Sequence, residues 1–390
     1  MNWTVTREVE IAPSPAGTLA ALTGAGYTVH SAVADLIDNA VSAGAREISL
    51  SLDLGGEGTL TLQDDGHGMD GDVLIQAMKI GYMHGEARNA RDLGRFGTGL
   101  KAASLFLSKS GHFTLGSARP GERGTVATLD TDRMAQTGRW LIGVQDDVDL
   151  PVGTTVRIAA PLLALSPELA SAEMQKLAAH LRCTFATHLA DGLRICVQGN
   201  PLRPWSLCSP ELPEVSSLSR VRLDDGRVRI TPFILPTHTD DPEVEGPLGR
   251  RDHAGFHVHR AGRALTLGGW LGLGIGRQHR AASDRVRVLV DISPELDHDW
   301  RVNLSKSGCT LPPRLKPRLR DLLDDVLDRA GRQRGPQDRG VSPPAPANAL
   351  WQGNAIWRDH PLVQDVMGNS RAPEGVAQLL AQLEEERQHG

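Results

Sequence analysis

Apolar positions recur at helical spacing between Val29 and Ala43, where Val33, Leu36, Ile37, Ala40 and Val41 fall on one stripe and Gly44 stands where such a helix would end. The period then changes. Ile48, Leu50, Leu52 and Leu54 alternate with Ser49, Ser51 and Asp53, the pattern of a strand with one buried face. The GGEG run at 55–58 turns the chain, and TLTLQ at 59–63 returns as the paired strand, carrying Asp64 to the rim of a sheet. A helix is expected from Leu100 to Leu107 after a glycine-rich loop, and a strand over TVRIAA at 155–160. Further strands are read in 192–205 and 255–270. At 312–331 two prolines introduce a helix with Leu319, Leu322, Leu323 and Val326 on one stripe. A Pro/Ala linker at 336–350 follows, then a tail at 351–390 with Val376, Leu379, Leu380 and Leu383 on one apolar face.

Three short segments on this frame carry candidate chemistry. In DLIDNAVSA (35–43), Asp35 and Asn39 share the helix face opposite the apolar stripe, one turn apart. A carboxylate that can orient or deprotonate a water thus lies beside an amide oxygen that can ligate a hard cation such as magnesium. DDGHGM (64–69) leaves a strand end as a glycine-containing turn, with Gly66, Gly68 and Met69 following Asp64. GRFGTGLK (94–101) passes from a glycine-rich loop into a helix. A helix start offers amide donors and a favourable dipole to anions, so a phosphate cradle is expected from Gly94, Phe96, Gly97, Thr98, Gly99 and Leu100, with Lys101 in the first turn. It is not a Walker A loop, since neither Ser nor Thr follows the lysine. The polar, glycine-containing segment 81–93 has the composition of a lid.

In order and spacing these segments resemble the N-box and the two glycine boxes of the GHKL superfamily (gyrase B, heat-shock chaperone ATPases, histidine kinases, MutL), with the MORC-like branch nearest. The resemblance implies ATP and magnesium as ligands. It makes Asp35 the general base, Asn39 the magnesium ligand, Asp64 the acceptor of the adenine amino group, Gly66 and Gly68 the positions where backbone lies against the purine, Met69 the residue packing on it, and Thr154, in GTTV (153–156), the support of Asp64. The family usually has Glu where Asp35 stands. That shortens the reach by one carbon–carbon bond, roughly 1.5 Å, and slow hydrolysis is expected. The strands at 192–205 and 255–270 resemble a transducer domain, and 297–313 resembles the loop whose lysine reaches the terminal phosphate, by position Lys306. The expected fold class is α+β: a Bergerat-fold α/β sandwich, with a mixed sheet and helices on one face, over 1–162; a transducer-type α/β domain over 163–311; then a helix at 312–335, the linker and the tail. The resemblance further implies ATP-dependent homodimerisation and output through an unidentified protein partner, with DNA association and prokaryotic defence as settings. Two alternatives stay open, a nucleotide-binding scaffold that does not hydrolyse and a GHKL-type protein kinase; no phosphoacceptor helix precedes the N-box.

Composition changes this picture little. The 390 residues, 40% of them hydrophobic, suffice for two cores. Four cysteines without a C-x-x-C pair argue against a zinc module or disulfide framework. The N-terminus has no signal-like apolar core and no stretch is long enough for a membrane span, so a cytoplasmic location is expected. Net charge is −5, an unfavourable overall match to nucleic acid. Locally, eight arginines (Arg250, Arg251, Arg260, Arg263, Arg277, Arg280, Arg285, Arg287) face only Asp252 and Asp284, and are read as surface cations that could meet DNA phosphates or an acidic partner. GLGIG (272–276) is read as a loop, and His257, His259 and Asp297 to Asp299 as an incomplete metal set in which the histidines are ordinary surface residues.

Overall fold

The computed structural model describes residues 13–24, 26–81, 97–205, 215–303 and 308–332, together with Leu207, Lys306 and scattered positions between 351 and 381. The expected lid from 82 onward, Gly94 and Phe96 of the third box, the 336–350 linker and most of the tail lie outside the described residues.

The first sheet is built as the alternation predicts. β1 (Glu47–Asp53) buries Ile48, Leu50 and Leu52 and exposes the residues between them. It pairs antiparallel with β2 (Thr59–Asp64), so that Ile48 lies opposite Asp64. With β3 (His112–Ala118), β4 (Gly124–Asp130), β5 (Ile142–Val148), β6 (Gly153–Ala159), β7 (Arg194–Val197) and β8 (Asn200–Pro201), these strands form an eight-stranded sheet in the order β5-β4-β3-β6-β2-β1-β7-β8. Only the β1–β7 pairing is parallel, which makes the sheet mixed. The apolar face is covered by α1 (Pro15–Thr23), α2 (Val29–Ser42), α3 (Gly71–Met78), α4 (Gly99–Leu107) and α6 (Pro167–Thr184), while α5 (Thr131–Thr137) joins β4 to β5. This is the α/β sandwich with helices on one face that the fold class requires.

α2 shows why the sequence folds this way locally. Thr28 caps it reciprocally with Ser31. At the far end Ala43 is the C-cap and Gly44, with φ at 74°, follows it. The Gly44 amide donates to Val41 and the Ala45 amide to Ala40, a Schellman closure.

The second sheet has the order β10-β11-β14-β12-β13, from β10 (Val221–Leu223), β11 (Val228–Ile234), β12 (Gly255–Arg260), β13 (Arg263–Leu267) and β14 (Val286–Ile292), with β9 (Ser216–Ser217) pairing β11. A one-turn helix, α8 (Pro242–Glu245), lies between β11 and β12. The final described helix, α9 (Lys316–Arg332), packs on β11 and β14.

Two expectations need correction. The division at residue 162 cuts across a continuous core: α6 contributes Ala170, Met174, Leu177 and Leu181, and β7, which was assigned to the second domain, contributes Ile195 and Val197 to the first sheet's core. The helix read as separate at 312–335 is part of the second core, where Leu319, Leu323, Val326, Leu327 and Ala330 are buried. The two sheets meet where α6 and α7 (Ala186–Ala190) pack on β13. Beyond residue 350, Trp351–Gln352 and Ala355–Ile356 pair as short antiparallel strands β15 and β16.

Candidate functional site

The site grows from the polar side of α2. Asp35 is buried, with 2% of its surface exposed, and so is Asp38. The Tyr27 hydroxyl donates to Asp35 Oδ2 at 2.8 Å. Burial, then the neighbouring Asp35 carboxylate, holds that hydroxyl far above the ordinary tyrosine range. The α4 N-terminus abuts the same carboxylate: a Cβ at Gly99 would stand 2.5 Å from Asp35 Oδ2, so a larger residue there would displace the Asp35 side chain. The first bond of the α4 ladder runs from the Ala102 amide to Thr98 O, so the amides of Gly99 and Leu100 stand ahead of it.

Asp64 ends β2, 6% exposed, opposite Thr154 of β6. Burial raises its carboxyl above the usual range, opposed by the amides of Gly66 and Thr154 donating to it. Thr154 Oγ1 is 3.2 Å from Ser117 Oγ, and Ser117 also accepts the Met69 amide. Gly68 has φ of 66°, and a Cβ there would collide with the Ala118 carbonyl; this position needs glycine twice over. Asp65 accepts the Arg46 and Glu47 amides, pinning the same loop to the start of β1.

Of the residues expected in the site, the structure brings Asp35 and Gly99 into contact, places Asp64, Gly66, Gly68, Met69 and Thr154 around one loop, and sets Asn39 one turn beyond Asp35. Gly97, Thr98 and Leu100 lie at the start of α4. Lys101 differs from expectation: it is 2% exposed and its ammonium donates to the carbonyls of Ala77 and Gly97, tying α3 to the glycine loop. Lys306 arrives from the second sheet's side, with Nζ 2.6 Å from Asp35 Oδ1 and 2.8 Å from Asp38 Oδ2. Arg263 of β13 completes the group, with Nε 2.8 Å from Asp38 Oδ1.

Tyr27, Asp38 and Arg263 were not singled out for this site from the sequence. Asp38 had a signal, since it lies three residues after Asp35 and next to Asn39; Arg263 was counted only among the arginines.

The fit to a magnesium nucleotide has a structural test. Among the described residues, the buried Asn39 Nδ2 on α2 and Thr98 Oγ1 at the start of α4 have no hydrogen-bond partner; both can donate to an anion such as a phosphate, while the Asn39 carboxamide oxygen is the atom able to ligate a cation. Unused buried polar atoms are costly unless something else satisfies them. The donor set of a carboxamide oxygen and helix-start amides suits a hard cation and an anion, so the residues present fit the group.

Half of the eight arginines, by contrast, are interior. Arg260, Arg263, Arg285 and Arg287 are buried. Arg260 pairs with Asp297 at 3.0 Å, Arg285 donates to Leu235 O and Ala330 O, and Arg287 to Arg250 O. Burial, with nearby Arg250, pushes the Arg287 guanidinium down to about 9. These side chains hold loops to the second sheet, so the expected cationic surface is reduced. His257 likewise is buried, bonded to His253 O at 2.8 Å and stacked on the His253 ring, rather than on the surface. Among the described residues no cluster of three or more His, Cys, Asp or Glu could hold a metal ion, and no helix is long and apolar enough to cross a membrane.

Comparison with known proteins agrees with this geometry. The family model for histidine kinase-, DNA gyrase B-, and HSP90-like ATPases matches residues 27–150. ATPase morc-1 of Caenorhabditis elegans is 38% identical over 80 residues, 20% of this chain and 9% of that protein. The DNA mismatch repair protein MutL of Halobacterium salinarum is 30% identical over 135 residues, 33% of this chain and 19% of the relative. Protein MICRORCHIDIA 7 of Arabidopsis thaliana is 29% identical over 123 residues, 30% of this chain and 17% of the relative. The chain thus spans less than a fifth of the length of each of these relatives. The matched segment contains α2, the Asp64 loop and the start of α4, and over it the chain is similar to GHKL-type ATPases, MORC and MutL proteins among them.

Proposed function

We propose that the chain binds ATP with magnesium, hydrolyses it slowly, and uses the cycle to change how its two sheet units engage. Adenine lies against Asp64, Gly66, Gly68 and Met69, with Thr154 supporting Asp64. The phosphates lie against Gly97, Thr98, Gly99 and Leu100, and Lys101 shapes the loop through its contacts with the Ala77 and Gly97 carbonyls. Asn39 holds magnesium, whose chemistry there is to neutralise phosphate charge. Asp35 accepts the proton of the attacking water, and Lys306 reports the terminal phosphate to the second unit.

The single observation carrying this reading is the contact of Lys306 with Asp35 at 2.6 Å, which joins the expected base to a residue of the other unit. ATP-dependent homodimerisation and output through a protein partner follow the same reading, and the name of the MutL relative suggests DNA-associated work as the setting. A second reading, a scaffold that binds without hydrolysing, is favoured by the shorter Asp35 already accepting the Tyr27 hydroxyl. Phosphate release under saturating ATP separates the two. Asp35→Asn is expected to lower the rate by about a hundredfold, the ordinary scale for losing a general base; a rate equal to that of the unaltered protein would remove Asp35 from catalysis.

A further inference from the structure

Two carboxylates and two cations meet between the sheet units. Lys306 bridges Asp35 and Asp38 at 2.6 and 2.8 Å, and the second oxygen of Asp38 lies 2.8 Å from Arg263 Nε. Arg263 also grips the lysine's own backbone, its Nη1 donating to Lys306 O at 2.6 Å. The guanidinium lies 5.9 Å from the centre of the Phe185 ring, so packing as well as charge fixes it. Side-chain exposure separates the four: Asp38 has none, Arg263 2%, Asp35 3% and Lys306 11%. Lys306 is the most accessible member, and its backbone is held in the left-handed region at φ 47°, a conformation that a lysine keeps only when its surroundings impose it.

This arrangement separates two tasks. Arg263 anchors the loop at the lysine's carbonyl, so the ammonium can change partners while its Cα stays in place. It also neutralises Asp38. If Lys306 left a solitary Asp38 for a phosphate, a wholly buried carboxylate would stand unpaired, a strongly unfavourable state. With Arg263 present, Asp38 stays paired after the ammonium departs, and Asp35 keeps its bond from Tyr27.

We propose that Arg263, by neutralising Asp38 and holding the Lys306 carbonyl, is a positioning residue that lets Lys306 exchange between Asp35 and the terminal phosphate of a bound nucleotide. The inference rests on the reading of the pocket as an ATP site. In this scheme Arg263 touches neither nucleotide nor water; it sets how readily Lys306 can be withdrawn from Asp35.

The test is the ratio of the dissociation constant for ADP to that for the β,γ-imido analogue of ATP, measured by calorimetry with magnesium on the full chain. The unaltered protein is expected to prefer the analogue about tenfold, an ordinary inter-site coupling, and Lys306→Met to show a ratio near unity. Arg263→Met is expected to fall toward unity, because Asp38 then retains the ammonium. Asp38→Asn is expected to keep the preference, and Asp38→Asn with Arg263→Met to recover most of it. ADP binding by each variant reports an intact pocket, and Arg263→Lys, which keeps the charge but cannot span both Asp38 and the Lys306 carbonyl, is expected to lie between. The inference is overturned if Arg263→Met retains the full preference, or if Asp38→Asn loses it as Arg263→Met does. If the unaltered protein binds neither nucleotide, the ATP-site reading itself fails; if it binds and discriminates while Arg263→Met is indistinguishable from it, only the positioning role fails.

Discussion

Asp64 shows how a single residue in this fold can cost stability. Its carboxyl is raised because burial disfavours the charged form more than the Gly66 and Thr154 amides favour it. Below the unfolded value both states are protonated and nothing is lost. As pH rises through the folded value, the folded state must ionise a buried group, and stability falls. Asn keeps an acceptor for the same amides and cannot ionise. Asp64→Asn in the nucleotide-free protein is therefore expected to unfold at a higher temperature than the unaltered chain at neutral pH, with the gap closing in acid below about pH 4, the ordinary range of an aspartate. Thermal unfolding across that range checks it; a gap that persists or widens in acid contradicts it. The places of Asp35, Asn39, Asp64 and Gly68 on α2, at the end of β2 and in the following turn were legible because their signals are local, consisting of a helical spacing, a strand end and a turn. Asp38 and Arg263 were not, since each acquires meaning from a residue far away in sequence. The buried arginines misled for the same reason: Arg260 reads as a surface cation until Asp297 is placed beside it.

Periodicity identified the elements more surely than their neighbours. The stripe Leu319, Leu322, Leu323 and Val326 marks α9 as amphipathic, but an apolar stripe does not say which surface it covers, and the structure closes it over β11 and β14. Leu323 is fully buried there. Leu323→Ala is expected to destabilise the second core by about 2–5 kcal/mol, the usual cost of such a truncation, with chemical denaturation as the measurement. A loss below about 1 kcal/mol would show that α9 is a loosely attached appendage. β7 illustrates the limit from the other side. Its four residues are recognisable as a strand yet too few to specify a register, and what carries them to β1 is the packing of α6 across α2, which no local pattern encodes.

For the whole molecule, the α+β class with a one-faced mixed sheet is what the resemblance to the GHKL superfamily implied and what the structure has, whereas the boundary between the units was misplaced because α6 and β7 complete the first core before the second begins. The units are then joined by Lys306 and Arg263 meeting α2, so a change at Asp35 or Asp38 has a short physical route to the second sheet. All of this depends on a purine triphosphate occupying the pocket framed by α2, the Asp64 loop and the start of α4. Calorimetric titration of the purified chain with ATP and magnesium tests that most directly. Saturable binding near one nucleotide per chain, lost in Asp64→Asn, is the result expected; an unaltered chain with no measurable affinity for ATP would contradict the account.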